Sequence, residues 1–244
     1  MTREDRWIIV PAKSFALAKW RLSPLLIDSE RAMLARTMLA DVLNAATGVL
    51  GLRNIAVVTS SNDVAREAAR MGALVIDDNE ATGTNDAIKA GLAAIARHGE
   101  QCVVVLPSDV PAVLSEDISG LLAAAERGCV AIVPATRDGG TNALAISRPE
   151  QLEPCFGTHS FTRHVSAANQ IGIKPKVVLN ERLGLDIDQP GDLFRFLDRE
   201  TATATDRYLR SIGVPERRRD AVLAVAAADV FMREQNPGFF RLTM

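Results

Sequence analysis

The sequence of 244 residues is short of cysteine, of long apolar runs and of net charge, and each shortage excludes a class of protein. Its three cysteines are scattered, so we interpret them as free thiols rather than as a disulfide framework or a zinc site. No apolar run approaches the roughly 20 residues that span a bilayer. The apolar run near the amino terminus is too brief for a signal peptide, and we therefore expect a cytoplasmic protein.

Positive and negative charges nearly balance, with 28 Lys and Arg against 30 Asp and Glu and a net charge of −2. This balance argues against a general affinity for nucleic acid or anionic membranes. The chain also lacks the G-x-x-x-x-G-K-[ST] phosphate loop, the G-x-G-x-x-G dinucleotide motif and the G-x-S-x-G elbow. His159 and His164 do not have the spacing of a helical zinc pair. Hydrolase and dehydrogenase hypotheses therefore lose most of their support.

Short β-branched runs alternate with longer segments of helical period over most of the chain. The predicted strands are "RWIIVPA", "NIAVVTS", "ALVIDD", "QCVVVLPSD", "VAIVPA", "NALAIS" and "PKVVL". Because such alternation is typical of a sheet that helices cover, we predict an α/β fold with a mostly parallel sheet and helices on both faces. Ligands of such sheets bind beyond the carboxyl ends of the strands, where "PAKS", "PSDVP" and "ATRDGGTN" lie.

The composition changes near residue 200, where "RETATATD" is small and polar. We predict a domain of residues 1–200 followed by a helical C-terminal extension of residues 201–244. A helix beginning near Pro215 carries an apolar stripe that has to be buried. The stripe packs either on the protein's own core or on a second subunit, which would make a homodimer, and the sequence leaves both alternatives open.

Two carboxylates stand two residues apart in "GLDIDQP". If this stretch is extended, Asp186 and Asp188 share one face, and Leu185 and Ile187 share the other. Asp109 directly follows a buried strand in "PSDVP". These carboxylates either cap turns and helices or converge as the oxygen-rich set that Mg²⁺ prefers.

The first predicted strand leads into "PAKSFALAKWRL", which carries Lys13, Lys19 and Arg21. A cluster of this kind is usually a solvated face. At the carboxyl end of a strand, opposite a carboxylate–metal centre, it would instead bind a polyphosphate. "FGTHSFTRH" places Gly157 and Ser160 before a helix, where the serine caps the helix, contributes to an anion site, or does both.

Six motifs in this order resemble the 2-phospho-L-lactate guanylyltransferase family, which includes the phosphoenolpyruvate and 3-phosphoglycerate guanylyltransferases of factor-420 deazaflavin coenzyme biosynthesis. They are "VPAKSFALAKWRL", "ARTMLADVL", "LPSDVP", "PATRDGGTNAL", "FGTHSFTRH" and "LDIDQPGDL". The similarity extends from about Trp7 to about Leu197. It implies a nucleotide-diphospho-sugar-transferase-like fold and an enzyme that joins GMP from GTP to the phosphate of a small three-carbon acid, releasing pyrophosphate.

The resemblance also implies roles for single residues. The expected Mg²⁺ ligands are Asp109, Asp186 and Asp188. The positions expected to hold the acid are Thr141, Gly157 and Ser160. The expected GTP contacts are Lys13, Lys19, Arg21 and Asn85, and the expected catalytic residues are Lys13, Arg21 and Asp109.

Two positions depart from the family's pattern. His159 stands where the family more often has glycine, so a larger side chain borders the acid pocket. Thr84 and Asp86 flank Asn85 where small or apolar residues are usual, which weakens any assignment of guanine contacts there.

Two other functions remain as alternatives. A glycosyltransferase also uses a D-x-D pair to hold a metal and a nucleotide sugar, although the lysine-rich first loop and "GGTNAL" favour pyrophosphate release. The second alternative is a nucleotide-binding module that has lost its chemistry, against which the three aspartates argue.

Overall fold

The computed structural model describes residues 6–50, 54–78, 81, 83–98, 102–125, 128–148, 150 and 152–218. Seven strands form a single sheet. They are β1 (Arg6–Pro11), β2 (Ile55–Val58), β3 (Leu74–Ile76), β4 (Cys102–Val105), β5 (Val130–Pro134), β6 (Thr141–Ile146) and β7 (Lys176–Val177). Each lies within or at the edge of a strand predicted from the sequence.

The strand order is β3-β2-β1-β4-β6-β5-β7. The pairs β3–β2, β2–β1, β1–β4 and β5–β7 are parallel, whereas β6 runs antiparallel to β4 and β5. The prediction of a mostly parallel sheet is therefore confirmed. Every residue of β2, β4 and β6 is buried, as expected for strands that are covered on both faces.

Helices cover both faces of this sheet. They are α1 (Asp28–Leu50), α2 (Asn62–Arg70), α3 (Thr84–Ile95), α4 (Ser115–Ala124), α5 (Ser160–Gln170), α6 (Pro190–Leu197) and α7 (Ala204–Ser211). Buried side chains of α1, α2, α4, α6 and α7 share one core, whereas those of α3 and α5 pack on the opposite face. Among the described residues, no helix is at once long enough and apolar enough to cross a membrane.

The first part of the predicted C-terminal extension packs on α1. The small, polar residues of "RETATATD" lead into α7, whose N-cap Thr203 accepts a hydrogen bond of 3.1 Å from the Asp206 backbone N–H. The Asp41 carboxylate on α1 accepts hydrogen bonds from two backbone N–H groups near the start of α7. Arg217 makes a bidentate ion pair with Glu30, in which Nη2 lies 2.6 Å from Oε1 and Nη1 lies 2.7 Å from Oε2.

This part of the extension therefore packs on the protein's own core. Most of the helix expected beyond Pro215, and the homodimer contact assigned to it, lie outside the described residues. The boundary at residue 200 stays a prediction.

Candidate functional site

A cavity of about 730 Å³ opens at the carboxyl ends of β1 and β4. The two strands lead directly into the segments that carry the basic cluster and Asp109, which is why these groups meet at one edge of the sheet. The cavity is lined by many of the residues singled out from the sequence: Lys13, Lys19, Arg21, Asp109, Gly157, Asp186 and Asp188.

The "GLDIDQP" segment alternates as its sequence predicts. Leu185 and Ile187 are buried in the core, and Asp186 and Asp188 face the cavity. The segment is tied to the Asp109 loop by a backbone hydrogen bond of 3.0 Å, which the Ile187 N–H donates to the Asp109 carbonyl. The separation between the carboxylates is thus set by the backbone.

Gly184 lets the chain approach the β5–β6 connection closely. The Thr136 N–H donates a hydrogen bond of 3.0 Å to the Gly184 carbonyl. A Cβ at residue 184 would lie 2.9 Å from the Asn180 carbonyl oxygen and 2.9 Å from Thr136 Cγ2. Any side chain at this position would therefore displace the segment that carries the two aspartates.

Lys19 lies between two of the carboxylates. Its Nζ is 2.6 Å from Asp109 Oδ2 and 3.6 Å from Asp188 Oδ1, and its side chain is only 9% exposed. Burial disfavours the charged amine, but the charge of Asp109 and the hydrogen bond to it outweigh burial, so the pKa of Lys19 is raised. Lys19 adopts a left-handed conformation with φ of 57°, which turns the loop so that the amine points inward.

Arg21 pairs with the second aspartate of the motif. Its Nη1 lies 2.6 Å from Asp188 Oδ2. Burial alone would raise the pKa of Asp188, but Lys19 and Arg21 together lower it. Asp186 behaves in the opposite way, because burial and the nearby Asp109 charge raise its pKa. The two aspartates of the motif therefore differ in environment, because Asp188 lies beside two cations and Asp186 lies deeper and near Asp109.

Arg137 and Asn142 belong to this cluster although sequence analysis gave neither a role. Arg137 Nη1 lies 3.0 Å from Asp192 Oδ2, and its Nη2 lies 3.6 Å from Asp186 Oδ2. Asn142, on β6, donates a hydrogen bond of 3.2 Å to Asp186 Oδ1. Both side chains orient Asp186. Asn142 could have been found from the sequence, because a polar side chain inside a continuously buried strand is normally hydrogen-bonded to another group.

The chemistry of the cluster fits a hard divalent cation. Asp109, Asp186 and Asp188 supply carboxylate oxygens, the ligands that Mg²⁺ prefers, and burial and the charge of Asp109 raise the pKa of Asp186. Among the described residues, no three His, Cys, Asp or Glu side chains are grouped as a ready metal site. The ammonium of Lys19 occupies the space between Asp109 and Asp188, so a cation would have to displace it.

Thr141 and Ser160 lie together behind the cavity wall. The backbone N–H of Thr141 donates a hydrogen bond of 2.7 Å to Ser160 Oγ. Thr141 Oγ1 lies 2.9 Å from Nδ1 of His164, a fully buried residue of α5. Ser160 is the first residue of α5, and the N-cap position belongs to His159, which has φ of 55°. Glycine adopts that left-handed conformation without steric cost, whereas histidine does not.

The hydrogen bonds of His164 determine which ring nitrogen carries the proton. The backbone N–H of Cys155 donates to Nε2 at 3.0 Å, so Nε2 is the acceptor. Burial, reinforced by the charge of Arg163, lowers the pKa of His164 to about 4 and keeps the ring neutral. The proton is therefore on Nδ1, which donates to Thr141 Oγ1. The hydroxyls of Thr141 and Ser160 both accept a hydrogen bond from the protein, and neither donates one to another described residue.

Asn85 has both ends of its amide engaged with one backbone unit. Its Nδ2 donates to the Phe156 carbonyl at 3.1 Å, and its Oδ1 accepts from the Phe156 N–H at 2.7 Å. These bonds fix the loop that precedes Gly157 onto α3. Asn85 also lines a different cavity, of about 530 Å³. Its assignment as a GTP contact stays a prediction, and the contacts themselves give it a positioning role.

The model of the family described as "Guanylyl transferase CofC like" matches residues 6–226 of this chain. The match extends beyond Leu197, where the motifs end. Three relatives, between 31% and 36% identical to this chain, carry guanylyltransferase names. The chain is 31% identical to the phosphoenolpyruvate guanylyltransferase of Sphaerobacter thermophilus, over 76% of this chain and 89% of that protein.

Two further relatives are named for different acids. The chain is 36% identical to the 3-phospho-D-glycerate guanylyltransferase of Phenylobacterium zucineum, over 72% of this chain and 82% of that protein. It is 33% identical to the 2-phospho-L-lactate guanylyltransferase of Methanothermobacter thermautotrophicus, over 84% and 89% of the two chains.

The fold is also found among solved structures. A Desulfovibrio desulfuricans protein assigned as a nucleotide-diphospho-sugar transferase superposes with a TM-score of 0.70. It is 18% identical, and the match covers 86% of this chain and 95% of that one. The predicted fold is thereby confirmed.

Proposed function

The chain belongs to the CofC-like guanylyl transferase family, and on this premise we propose that it transfers GMP from GTP to the phosphate of a small phosphorylated three-carbon acid. The proposal rests on one observation. Three aspartates line the same cavity as Lys19 and Arg21, and two of them, Asp109 and Asp188, form ion pairs with these cations. A cleft with both charges can hold a polyphosphate and a cation together. The family resemblance also favours a role for the product in making the factor-420 deazaflavin coenzyme, in the cytoplasm.

In the proposed reaction, a phosphate oxygen of the acid attacks the α-phosphorus of GTP. A bond forms between that oxygen and the α-phosphorus, and the bond to the oxygen bridging to the β-phosphorus breaks, so pyrophosphate leaves. The nucleophile is already an anion, and no general base is required. Positioning and neutralisation of charge therefore account for the catalysis.

The basic residues supply part of that neutralisation. Lys13 lines the cavity on an exposed loop after β1, and Arg21 lies at the opposite end of the same loop. We assign both to the phosphates of GTP, where they offset the charge that builds on the departing pyrophosphate. We assign Lys19 to the same phosphates once its ammonium has left the carboxylates of Asp109 and Asp188.

Asp109, Asp186 and Asp188 are the residues that would hold Mg²⁺. When bound there, the ion would neutralise phosphate charge and withdraw electrons from the α-phosphorus. Arg137 and Asn142 hold Asp186 in place from the other side. The raised pKa of Asp186 is consistent with a carboxylate that gains from a cation.

The acid is assigned to the Thr141 and Ser160 hydroxyls. Each hydroxyl oxygen accepts a hydrogen bond from the protein, and neither hydroxyl donates one to a residue that the structure describes, so both protons are assigned to an anionic acceptor. Gly157, with φ of 112°, lines the same cavity and leaves its backbone uncovered by a side chain. Carboxylate and phosphate oxygens are acceptors that suit such donors.

The test is transfer from [α-³²P]GTP to 2-phospho-L-lactate, phosphoenolpyruvate and 3-phosphoglycerate in parallel, with pyrophosphate measured alongside. We expect one labelled product and one pyrophosphate released for each molecule of that product. A parallel incubation with a GDP-sugar tests the glycosyltransferase, which would transfer the sugar and release GDP. Absence of any product from GTP with all three acids would favour the non-catalytic module.

A further inference from the structure

A second cavity, of about 440 Å³, opens at the carboxyl ends of β1, β2 and β3. Lys13, Leu17 and Thr84 line both this cavity and the one that contains the carboxylates. The two therefore share a wall and form one cleft. Asp78 is the acidic residue on the lining of the second cavity, and it lies two residues beyond the end of β3.

The Asp78 carboxylate is not used by its own turn. Its Oδ1 is buried and accepts no hydrogen bond from any residue that the structure describes. The turn is closed instead by the backbone, because the Ala81 N–H donates to the Asp78 carbonyl at 3.0 Å. Lys13 lines the same cavity, yet no ion pair joins it to Asp78 within the described residues. A buried acceptor without a donor is unfavourable, so a donor is expected from a ligand.

We propose that Asp78 recognises the guanine of GTP, with its carboxylate accepting hydrogen bonds from N1–H and from the 2-amino group. This inference rests on the proposed function. An ionised carboxylate offers acceptors only, and guanine presents two adjacent donors on that edge. Adenine presents an acceptor at N1 and no amine at C2, so the same carboxylate repels it.

The position of Asp78 in the sheet agrees with this assignment. β3 and β4 are separated by β2 and β1, so their carboxyl ends lie three strand spacings apart, about 14 Å. Asp78 follows β3 and Asp109 follows β4. That separation suits an extended nucleotide with its base edge at Asp78 and its α-phosphate at Asp109. Lys13 lies between them, beside both cavities.

The experiment compares Asp78→Asn with the wild-type protein, using GTP, xanthosine triphosphate and ATP. An asparagine still accepts from N1–H but meets the 2-amino group with its own amide N–H donors. It instead suits xanthine, which has a carbonyl at C2. We expect kcat/KM for GTP to fall by about 10- to 100-fold, while kcat/KM for xanthosine triphosphate rises. Asp77→Asn, an identical change at the exposed neighbour, is the matched control.

Two further measurements separate recognition of the base from transfer of GMP to the acid. Calorimetric binding of GTP and xanthosine triphosphate to each protein tests base recognition even where no acid is turned over. The wild-type protein should also bind inosine triphosphate, which lacks the 2-amino group, about 10-fold more weakly than GTP. An unchanged ratio of GTP to xanthosine triphosphate in Asp78→Asn overturns the assignment of Asp78. Normal base discrimination without transfer to any acid overturns only the proposed function.

Discussion

The Lys19 ammonium donates a hydrogen bond of 2.6 Å to the carboxylate of Asp109, which lies 90 residues further along the chain. The same ammonium is 3.6 Å from Asp188. A side-chain cation thus occupies the space where a divalent cation would neutralise the same carboxylates. The two positive charges compete for one position, and this competition can be measured.

Replacing Lys19 by methionine should make the fold depend on a divalent cation. Without the ammonium, the carboxylates lose their central partner, and the metal-free protein should be destabilised by up to about 3 kcal/mol. Mg²⁺ should then raise the melting temperature of Lys19→Met more than that of the wild-type protein. Lys13→Met, at an exposed lysine of the same cavity, is the control. Equal responses of the two variants to Mg²⁺ would contradict the competition.

Asp188→Asn should leave a folded protein with little turnover. The substitution keeps the shape of the side chain but removes the charge that faces Lys19 and Arg21. We expect kcat to fall at least about 100-fold, in line with loss of a charge-neutralising contact in the transition state. Initial rates with and without EDTA check the assignment. Activity that survives either the substitution or EDTA would remove the metal from the proposal.

Lys13→Ala and Ser160→Ala should affect different substrates. Lys13 lies on the loop assigned to the GTP phosphates, whereas Ser160 is hydrogen-bonded to Thr141 behind the cavity wall. Loss of Lys13 should therefore raise the KM for GTP about 10-fold with little change for the acid, and loss of Ser160 should do the reverse. Both constants are measured for both variants. The same pattern in the two variants would show that the cleft is not divided in this way.

His164 should make the fold sensitive to acid. Its pKa is lowered from 6.5 to about 4 in the folded protein, so the unfolded chain binds a proton more readily than the folded one. This contribution to stability is complete above about pH 6.5 and is lost as the pH falls through about 4, an effect of about 3 kcal/mol.

Urea unfolding of His164→Gln measures that contribution. Other groups also titrate in this range, so the relevant quantity is the difference between the wild-type protein and the variant at about pH 7 and about pH 4. The variant should be the less stable protein at neutral pH and should lose less stability on acidification. It should also raise the KM for the acid more than that for GTP, because Thr141 loses its donor. Parallel pH profiles of the two proteins would refute the role given to His164.

Truncation after Arg199 should destabilise the protein more than truncation after Arg218 does. The shorter chain loses the buried side chains of Leu209 and Val214 and the Arg217–Glu30 pair. Burial of two aliphatic side chains contributes about 3–6 kcal/mol. Thermal melts of both truncations and the full chain test this. Sedimentation of the same three proteins tests the homodimer, because only the full chain keeps residues 219–244.

Local patterns in the sequence predicted the strands and the direction of the site aspartates. Period-two alternation placed Leu185 and Ile187 in the core and their neighbouring carboxylates in the cleft, because burial of apolar side chains decides which face of an extended segment turns inward. The insertion of β6 between β4 and β5 was not predictable in this way. Strand order depends on pairing between distant segments, which no local pattern reports.

The residues whose roles sequence analysis missed or changed also depend on contacts between segments that are distant in sequence. Arg137 matters through Asp186 and Asp192, which the fold brings to it from the segment before α6 and from α6 itself. Lys19 was assigned to GTP, and its contact with Asp109 follows from a left-handed turn that is unusual for lysine. His164 was considered only as half of a zinc pair. Its place behind Thr141 depends on how α5 packs on the sheet, where it contacts β5.

The order of the strands has a consequence for how the protein is made. β1 pairs with β2 through partners such as Ile8 and Ile55, 47 residues apart (55 − 8), whereas it pairs with β4 through partners such as Arg6 and Cys102, 96 residues apart (102 − 6). The carboxylates meet only after the chain has been synthesised past Asp188. Such distant pairings pay their loop-closure entropy before they gain contacts, and they form late. In refolding, β1 and β2 should become protected from hydrogen exchange early, and enzyme activity should return with the slowest phase.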